Sequence, residues 1–207
     1  MTTIDHVLFA VPDFGETAER LSAEVGLGAV EGGRHTGWGT ANWIVPLGTS
    51  YLELIGVAEP AVATGNPFGR RVQQVISGGG GPFAWCVTPA DFDGTVARLG
   101  LEAGSGSRRR PDGALVSWRM AGLDVALADP SRPFFLDWQV GPGDHPGRAI
   151  AGHRVQPEGI AWVEVQGDEA AIEEWVGDDE LRVRVRPGPP AVLAVGIATR
   201  EGEIVLP

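Results

Sequence analysis

The chain contains no lysine. Every basic side chain is an arginine, a choice that records genomic base composition more than chemistry. The run Gly78 to Gly81 therefore has no GK[ST] behind it to make a phosphate loop, and it reads as a linker with too little side chain to pack. There is one cysteine, Cys86, which excludes an internal disulfide framework and a cysteine-built zinc site and makes the cytoplasm the expected compartment. No apolar run is long enough to span a membrane, and Met1 to His6 lacks the basic and then apolar leader of a secreted protein. A net charge of −11 argues against nucleic acid as a partner; it suits a cationic ligand or serves solubility. What is present is ordinary for a globular protein: 207 residues, 43% hydrophobic and 21% charged, enough for one large domain or two small ones.

The stretch His35 to Val57 reads as two β-strands joined by a short glycine-containing turn. In Tyr51-Leu52-Glu53-Leu54-Ile55 the side chains alternate, so Glu53 shares a face with Tyr51 and Ile55. A carboxylate there is costly to bury unless a hydrogen bond, a cation or a metal meets it.

Read in order, one unit occurs three times. Ile4 to Ala10 is a strand; Asp13 with Glu16 starts a helix striped by Phe14, Ala18, Leu21 and Val25; Gly26 stops it, and strands follow to Val57. Residues 58–81 form a Pro/Gly-rich connection with a short helix around Arg70 to Ile76. The unit restarts with the strand Phe83 to Val87, a helix led by Asp91, strands at Leu115 to Met120 and Leu123 to Ala128, and a last strand within Pro133 to Gln139. After a second linker the strand Ile160 to Val165 repeats the pattern of Phe83 to Val87. A helix follows within a stretch from Asp168 to Glu180 that holds seven acidic residues, then Leu181 to Arg186, apolar on one face and arginine on the other. The expected divisions are 1–57, a linker 58–81, 82–140, a linker 141–158, and a shorter third module 159–207.

Tandem βαβββ units with a histidine in the first strand and a glutamate in the last resemble the vicinal oxygen chelate superfamily, and within it the glyoxalase-like domain group. The matching residues are Ile4-Asp5-His6-Val7, Gly39-Thr40-Ala41-Asn42, Tyr51 to Ile55, Arg110-Pro111-Asp112-Gly113, and Pro133 to Trp138. The resemblance implies an α+β fold in which two modules pair their sheets into a cleft, with the third appended. It also implies a divalent metal held by one residue from each module's first strand and one from each last strand. Carried over, these positions are His6, Glu53, Trp85 and Asp137. Trp85 departs from the pattern, because an indole N–H only donates. That leaves His6, Glu53 and Asp137 as ligands, an oxygen-rich set for Mn, Ni, Fe(II) or Mg with water more than for closed tetrahedral zinc, and His35 as a further contact. The implied enzyme is a metal-dependent lyase, isomerase or dioxygenase with Glu53 as candidate base. The alternative is a metal-free binding or drug-sequestering protein of the bleomycin-resistance type.

Each residue also has a plainer reading. His6 can be a histidine hydrogen-bonded at the edge of the core, Glu53 half of an ion pair across the sheet, and Asp137 part of a turn. Arg110 can clamp a substrate anion or sit in a solvated loop, Asn42 can orient a substrate or hold a turn, and Trp85 and Trp118 can line an aromatic cleft or fill core. The third module is expected to pack on the other two or to pair with its copy in a homodimer.

Overall fold

The computed structural model describes residues 1–35, 37–110, 112–177 and 181–207. Pro111 of the Arg110–Gly113 motif, Thr36, and the acidic run's last residues, Asp178 to Glu180, lie outside the described residues. The first module is β1 (Thr3–Ala10), α1 (Phe14–Val25), β2 (Val30–His35), β3 (Thr40–Pro46) and β4 (Tyr51–Val57). The connection carries α2 (Pro60–Thr64) and α3 (Pro67–Ser77). The second module is β5 (Gly81–Thr88), α4 (Phe92–Leu99), β6 (Gly104–Arg109), β7 (Leu115–Ala121), α5 (Leu123–Ala128) and β8 (Phe134–Trp138). The third unit is β9 (Pro157–Gln166), α6 (Glu169–Val176), β10 (Val183–Arg186), β11 (Ala191–Thr199) and β12 (Gly202–Leu206). None of the described helices is long and apolar enough to cross a membrane.

The helix that follows each unit's first strand starts and stops by the same device. Asp13, Asp91 and Asp168 accept hydrogen bonds from the backbone N–H groups of Glu16, Gly94 and Ala171, at 2.8, 2.9 and 3.2 Å. Gly26, Gly100 and Gly177 close the helices in the left-handed conformation. Each cap of this kind is worth about 1 kcal/mol.

The eight strands of the first two modules close into a barrel, in the order β1-β4-β3-β2-β6-β7-β8-β5. The α+β arrangement of paired βαβββ modules is therefore present, and the cleft between them is the barrel interior. The two seams between modules are unequal. β1 and β5 pair antiparallel over their whole length, from Thr3↔Thr88 to Ala10↔Gly81. β2 and β6 meet at a single pair, Arg34↔Arg109, where Gly33 has φ +143° and any Cβ on it would strike the Arg109 carbonyl.

β1 does not keep simple alternation. Its register with β5 shifts between Ile4 and His6, leaving Asp5 as the extra residue of a bulge. Ile4, Val7 and Phe9 pack outward, whereas Leu8 joins the inner core and His6 lines the interior. Ile4 and His6 therefore lie on different faces although two residues apart, and Asp5 and His6 turn to the same polar network.

Two elements of the second module differ from expectation. Leu123 to Ala128 is a helix rather than a strand, because Gly122 turns the chain at φ +77° and Leu123, Ala126 and Leu127 then fall on one face against the inner core. The stretch Gly104 to Arg109 is a strand despite its glycines and serines, held in register against β7 from Gly104↔Met120 to Arg109↔Leu115.

The third unit repeats the β-α-β-β-β order but not the pairing. In the first module the opening strand runs parallel to the last, β1 with β4; in the third it runs parallel to the second, β9 with β10, in the sheet β10-β9-β11-β12. This sheet covers the outside of β1 and β5, with Val163, Val195 and Ile197 packed in one core with Val7, Phe9, Trp85 and Phe135. The arginine face of β10 is paired locally: Arg186 lies 2.6 Å from Glu164, and Arg184 stacks over Trp162 at 3.6 Å.

Candidate active site

Inward-facing residues of the barrel line a small cavity of about 40 Å³ that opens to solvent. Trp38, Phe68, Trp118, Phe134 and Trp138 form aromatic walls, and α3 supplies Phe68 from the connection. The polar lining is His6, His35, Tyr51, Glu53 and Arg108.

Asp5 organises one side. Its carboxylate accepts from His6 Nδ1 at 2.7 Å, Thr88 Oγ1 at 2.9 Å, Trp138 Nε1 at 2.9 Å and His145 Nε2 at 3.1 Å. Burial alone would raise the Asp5 carboxyl, but the hydrogen bonds and charges of His145 and His6 outweigh it and hold the group well below the usual carboxylate range. An ionised carboxylate only accepts, so both histidine nitrogens facing it carry protons. His145 Nδ1 accepts from the Gly147 backbone N–H at 3.1 Å, which assigns its neutral tautomer. For a neutral His6, the proton on Nδ1 leaves Nε2 bare, and this atom points to Glu53.

Glu53 stands between two imidazoles. His6 Nε2 is 3.6 Å from one carboxylate oxygen and His35 Nε2 is 3.6 Å from the other. Asn42, across the β3–β4 ladder and fully buried, donates its amide N–H to Glu53 Oε1. Burial lowers the His35 pKa, opposed by the charge of Glu53, so this ring is neutral near pH 7. Burial, and then the charges of Glu53 and Asp5, push the Tyr51 phenol well above its ordinary value. The Tyr51 ring stacks on His6 with centroids 4.5 Å apart.

The expected corners from the second module do not reach this group. Trp85 is opposite Val7 in the β1–β5 ladder, packs in the outer core, and donates its indole N–H to the Ser131 carbonyl at 3.2 Å. The residue opposite His6 is Cys86. Asp137 faces outward with Phe135, as its alternation with the cavity residues Leu136 and Trp138 requires, and meets Arg119 at 3.5 Å. Arg110 is a surface residue, 3.2 Å from both Asp112 and Asp144. Asn42 supports Glu53 and does not line the cavity, whereas His35 and Trp118 do. Sequence reasoning missed Asp5, His145 and Arg108. Arg108 had a signal, since strict alternation back from the β6–β7 ladder puts it on the face of Gly106 and Trp118.

A metal of the kind the resemblance implies can be tested against these donors. Among the described residues, Asp5, His6 and Cys86 form the group whose ligand atoms all lie within 4.8 Å of one another. That group does not suit an ion, because both Asp5 oxygens are taken and the Cys86 thiol is raised by burial and then by Asp5 and Glu53. His6, His35 and Glu53 are spread more widely but suit one in kind: two imidazole nitrogens and a carboxylate facing one space. His6 also has the outer hydrogen bond to a carboxylate that metal-binding histidines use.

A sequence-family model described as a glyoxalase-like domain matches residues 4–178. No curated protein matches the chain in sequence. Among solved structures, a hypothetical protein from Staphylococcus aureus aligns over 99% of this chain and 98% of its own, with TM-score 0.68 and 16% identity, so the whole fold recurs there. Methylmalonyl-CoA epimerase from Mycobacterium tuberculosis aligns over 66% of this chain and 86% of its own, with TM-score 0.45 and 15% identity. A Streptomyces coelicolor methylmalonyl-CoA epimerase variant in complex with 2-nitronate-propionyl-CoA aligns over 66% and 95%, with TM-score 0.46 and 18% identity.

Proposed function

Because the chain belongs to the glyoxalase-like domain family of the vicinal oxygen chelate superfamily, we propose that its barrel interior is the active site of a small-molecule enzyme that moves a proton on an oxygen-bearing substrate. An isomerisation follows from proton transfer alone; a lyase would in addition expel a leaving group from the resulting carbanion, and a dioxygenase would need O2 as co-substrate. The observation that carries the reading is the buried Glu53 carboxylate with His6 Nε2 and His35 Nε2 each 3.6 Å from one of its oxygens.

Glu53 is the base, taking a proton from a carbon beside a carbonyl onto Oε2 while Asn42 holds Oε1. Asp5 fixes the His6 ring so that its Nε2 faces Glu53 Oε2 across 3.6 Å. Trp38, Phe68 and Trp138 keep water from the developing charge. A divalent ion, when bound by His6, His35 and Glu53, supplies Lewis-acid polarisation of the substrate oxygens. The assembly proposed with it is a homodimer joined across β10 or β12, the free edges of the third sheet.

The test is elemental analysis of untagged protein, with thermal stabilisation by Mn, Ni, Fe(II), Zn and Mg, on wild type, His6→Ala and Glu53→Gln. One ion, bound by wild type and lost in both variants, is expected. A second reading, a metal-free small-molecule binder, is favoured by the outward Asp137 and by Cys86 opposite His6. Wild type that neither holds nor is stabilised by any of these ions would establish it instead.

A further inference from the structure

We propose that Arg108 is the anion-recognising residue of this cavity and that the substrate carries a carboxylate on an aromatic or similarly apolar body. The inference rests on the barrel interior being the site proposed above. Arg108 is 5% exposed, lines the cavity, and donates to one acceptor, the Gly32 carbonyl across the β2–β6 seam. Among the described residues no carboxylate lies within 4.0 Å of its guanidinium, whereas Arg110, Arg119 and Arg186 each have one. The two carboxylates of the interior are otherwise engaged: Asp5 by four donors, and Glu53 by Asn42 between His6 and His35.

A buried charge without a partner is expensive, and a guanidinium has five N–H groups in a planar fork that matches a carboxylate. Trp38, Trp118 and Phe134 line the same cavity as Arg108 and offer flat apolar surface to such a guest. An anionic head against Arg108 and a planar body against these rings would satisfy both halves of the cavity.

The experiment uses benzoate and cinnamate with their neutral amides, benzamide and cinnamamide, as probes. Binding is followed by tryptophan fluorescence and calorimetry on chelator-treated protein, so that no metal takes the carboxylate. Wild type should bind the acids about tenfold or more tightly than the amides. Arg108→Gln should abolish that preference while leaving amide affinity within about twofold, and Arg108→Lys should restore part of it. A purely structural staple to Gly32 would change stability in both variants without moving the acid-to-amide ratio. Equal binding of acid and amide by wild type, a preference that survives Arg108→Gln, or binding of none of the four would overturn the proposal. Metal content decides the proposed enzyme separately: a metal-free protein that still prefers the acids refutes only that reading, and a metal-loaded one without the preference refutes only the role of Arg108.

Discussion

Asp5 takes the proton-bearing Nδ1 of His6 at 2.7 Å, and this contact between sequence neighbours aims the opposite ring nitrogen at Glu53. Adjacent strand residues ordinarily point to opposite faces. The bulge at Asp5 removes that constraint. Asp5→Asn should keep much of the packing but lose the charge that orients His6. Divalent-ion binding by this variant should weaken about 10- to 100-fold, read by competition titration with a chromogenic chelator. Unchanged affinity would show that His6 is oriented by other means.

Acid should destabilise the protein in two stages. His35 has a folded pKa below its ordinary 6.5, so as the pH falls through that value the unfolded chain takes up a proton the native one does not. Asp5 behaves likewise from its ordinary 3.8 downward. Both contributions are complete at neutral pH and are lost on acidification. Urea midpoints measured from pH 8 to pH 3 should fall first between about pH 7 and 5 and again below about pH 4. His35→Gln should shrink the upper stage, to which His153, also lowered by burial, contributes the rest, and Asp5→Asn should remove the lower.

Asn42 makes one good contact and leaves one group unpaired, its buried Oδ1. Asn42→Ala removes the amide that meets Glu53 and should cost about 1–3 kcal/mol in urea unfolding. If Glu53 is the base, the variant should also shift the pH dependence of turnover, which loss of packing alone would not do.

Two tryptophans lie over glycines on the neighbouring strand. Trp118 covers Gly106 and Trp162 covers Gly196, so closely that a Cβ on either glycine would overlap the indole. Gly106→Ala and Gly196→Ala should each cost about 1–3 kcal/mol by overpacking. Only Gly106→Ala should alter probe binding, because Trp118 lines the cavity and Trp162 belongs to the third sheet.

A chain ending at Gly147 should not remain a soluble barrel. It would uncover Val7, Phe9, Trp85, Val87 and Phe135, which share one core with the third sheet, and lose the bond from Trp175 Nε1 to the Pro133 carbonyl at 2.8 Å. Light scattering should find it aggregated. A monodisperse fragment with native tryptophan emission would contradict this.

Much of the fold was legible because helix caps and periodicity are local signals. Asp13 and Gly26 bound their helix in the sequence as in space, and the alternation around Glu53 placed it inward with Tyr51 and Ile55. What escaped was set by pairing between distant strands. The Asp5 bulge exists only against β5, and β6 is held chiefly by its ladder with β7. Asp137 and Trp85 were carried to the site by resemblance, although the alternation of β8 and the register of β5 turn both away. Arg108 is missed because its segment reads in sequence as a loop, where alternation has no meaning.

The unequal seams of the barrel have a mechanical consequence. One joint is a full ladder backed by a second sheet, and the other is a single residue pair fastened by the Arg108 guanidinium on the Gly32 carbonyl. Amide hydrogens at the short joint should therefore exchange with solvent far sooner than those of β1 and β5. The residue proposed to greet an incoming anion is thus also the latch of the barrel's weaker wall, through its bond to the Gly32 carbonyl.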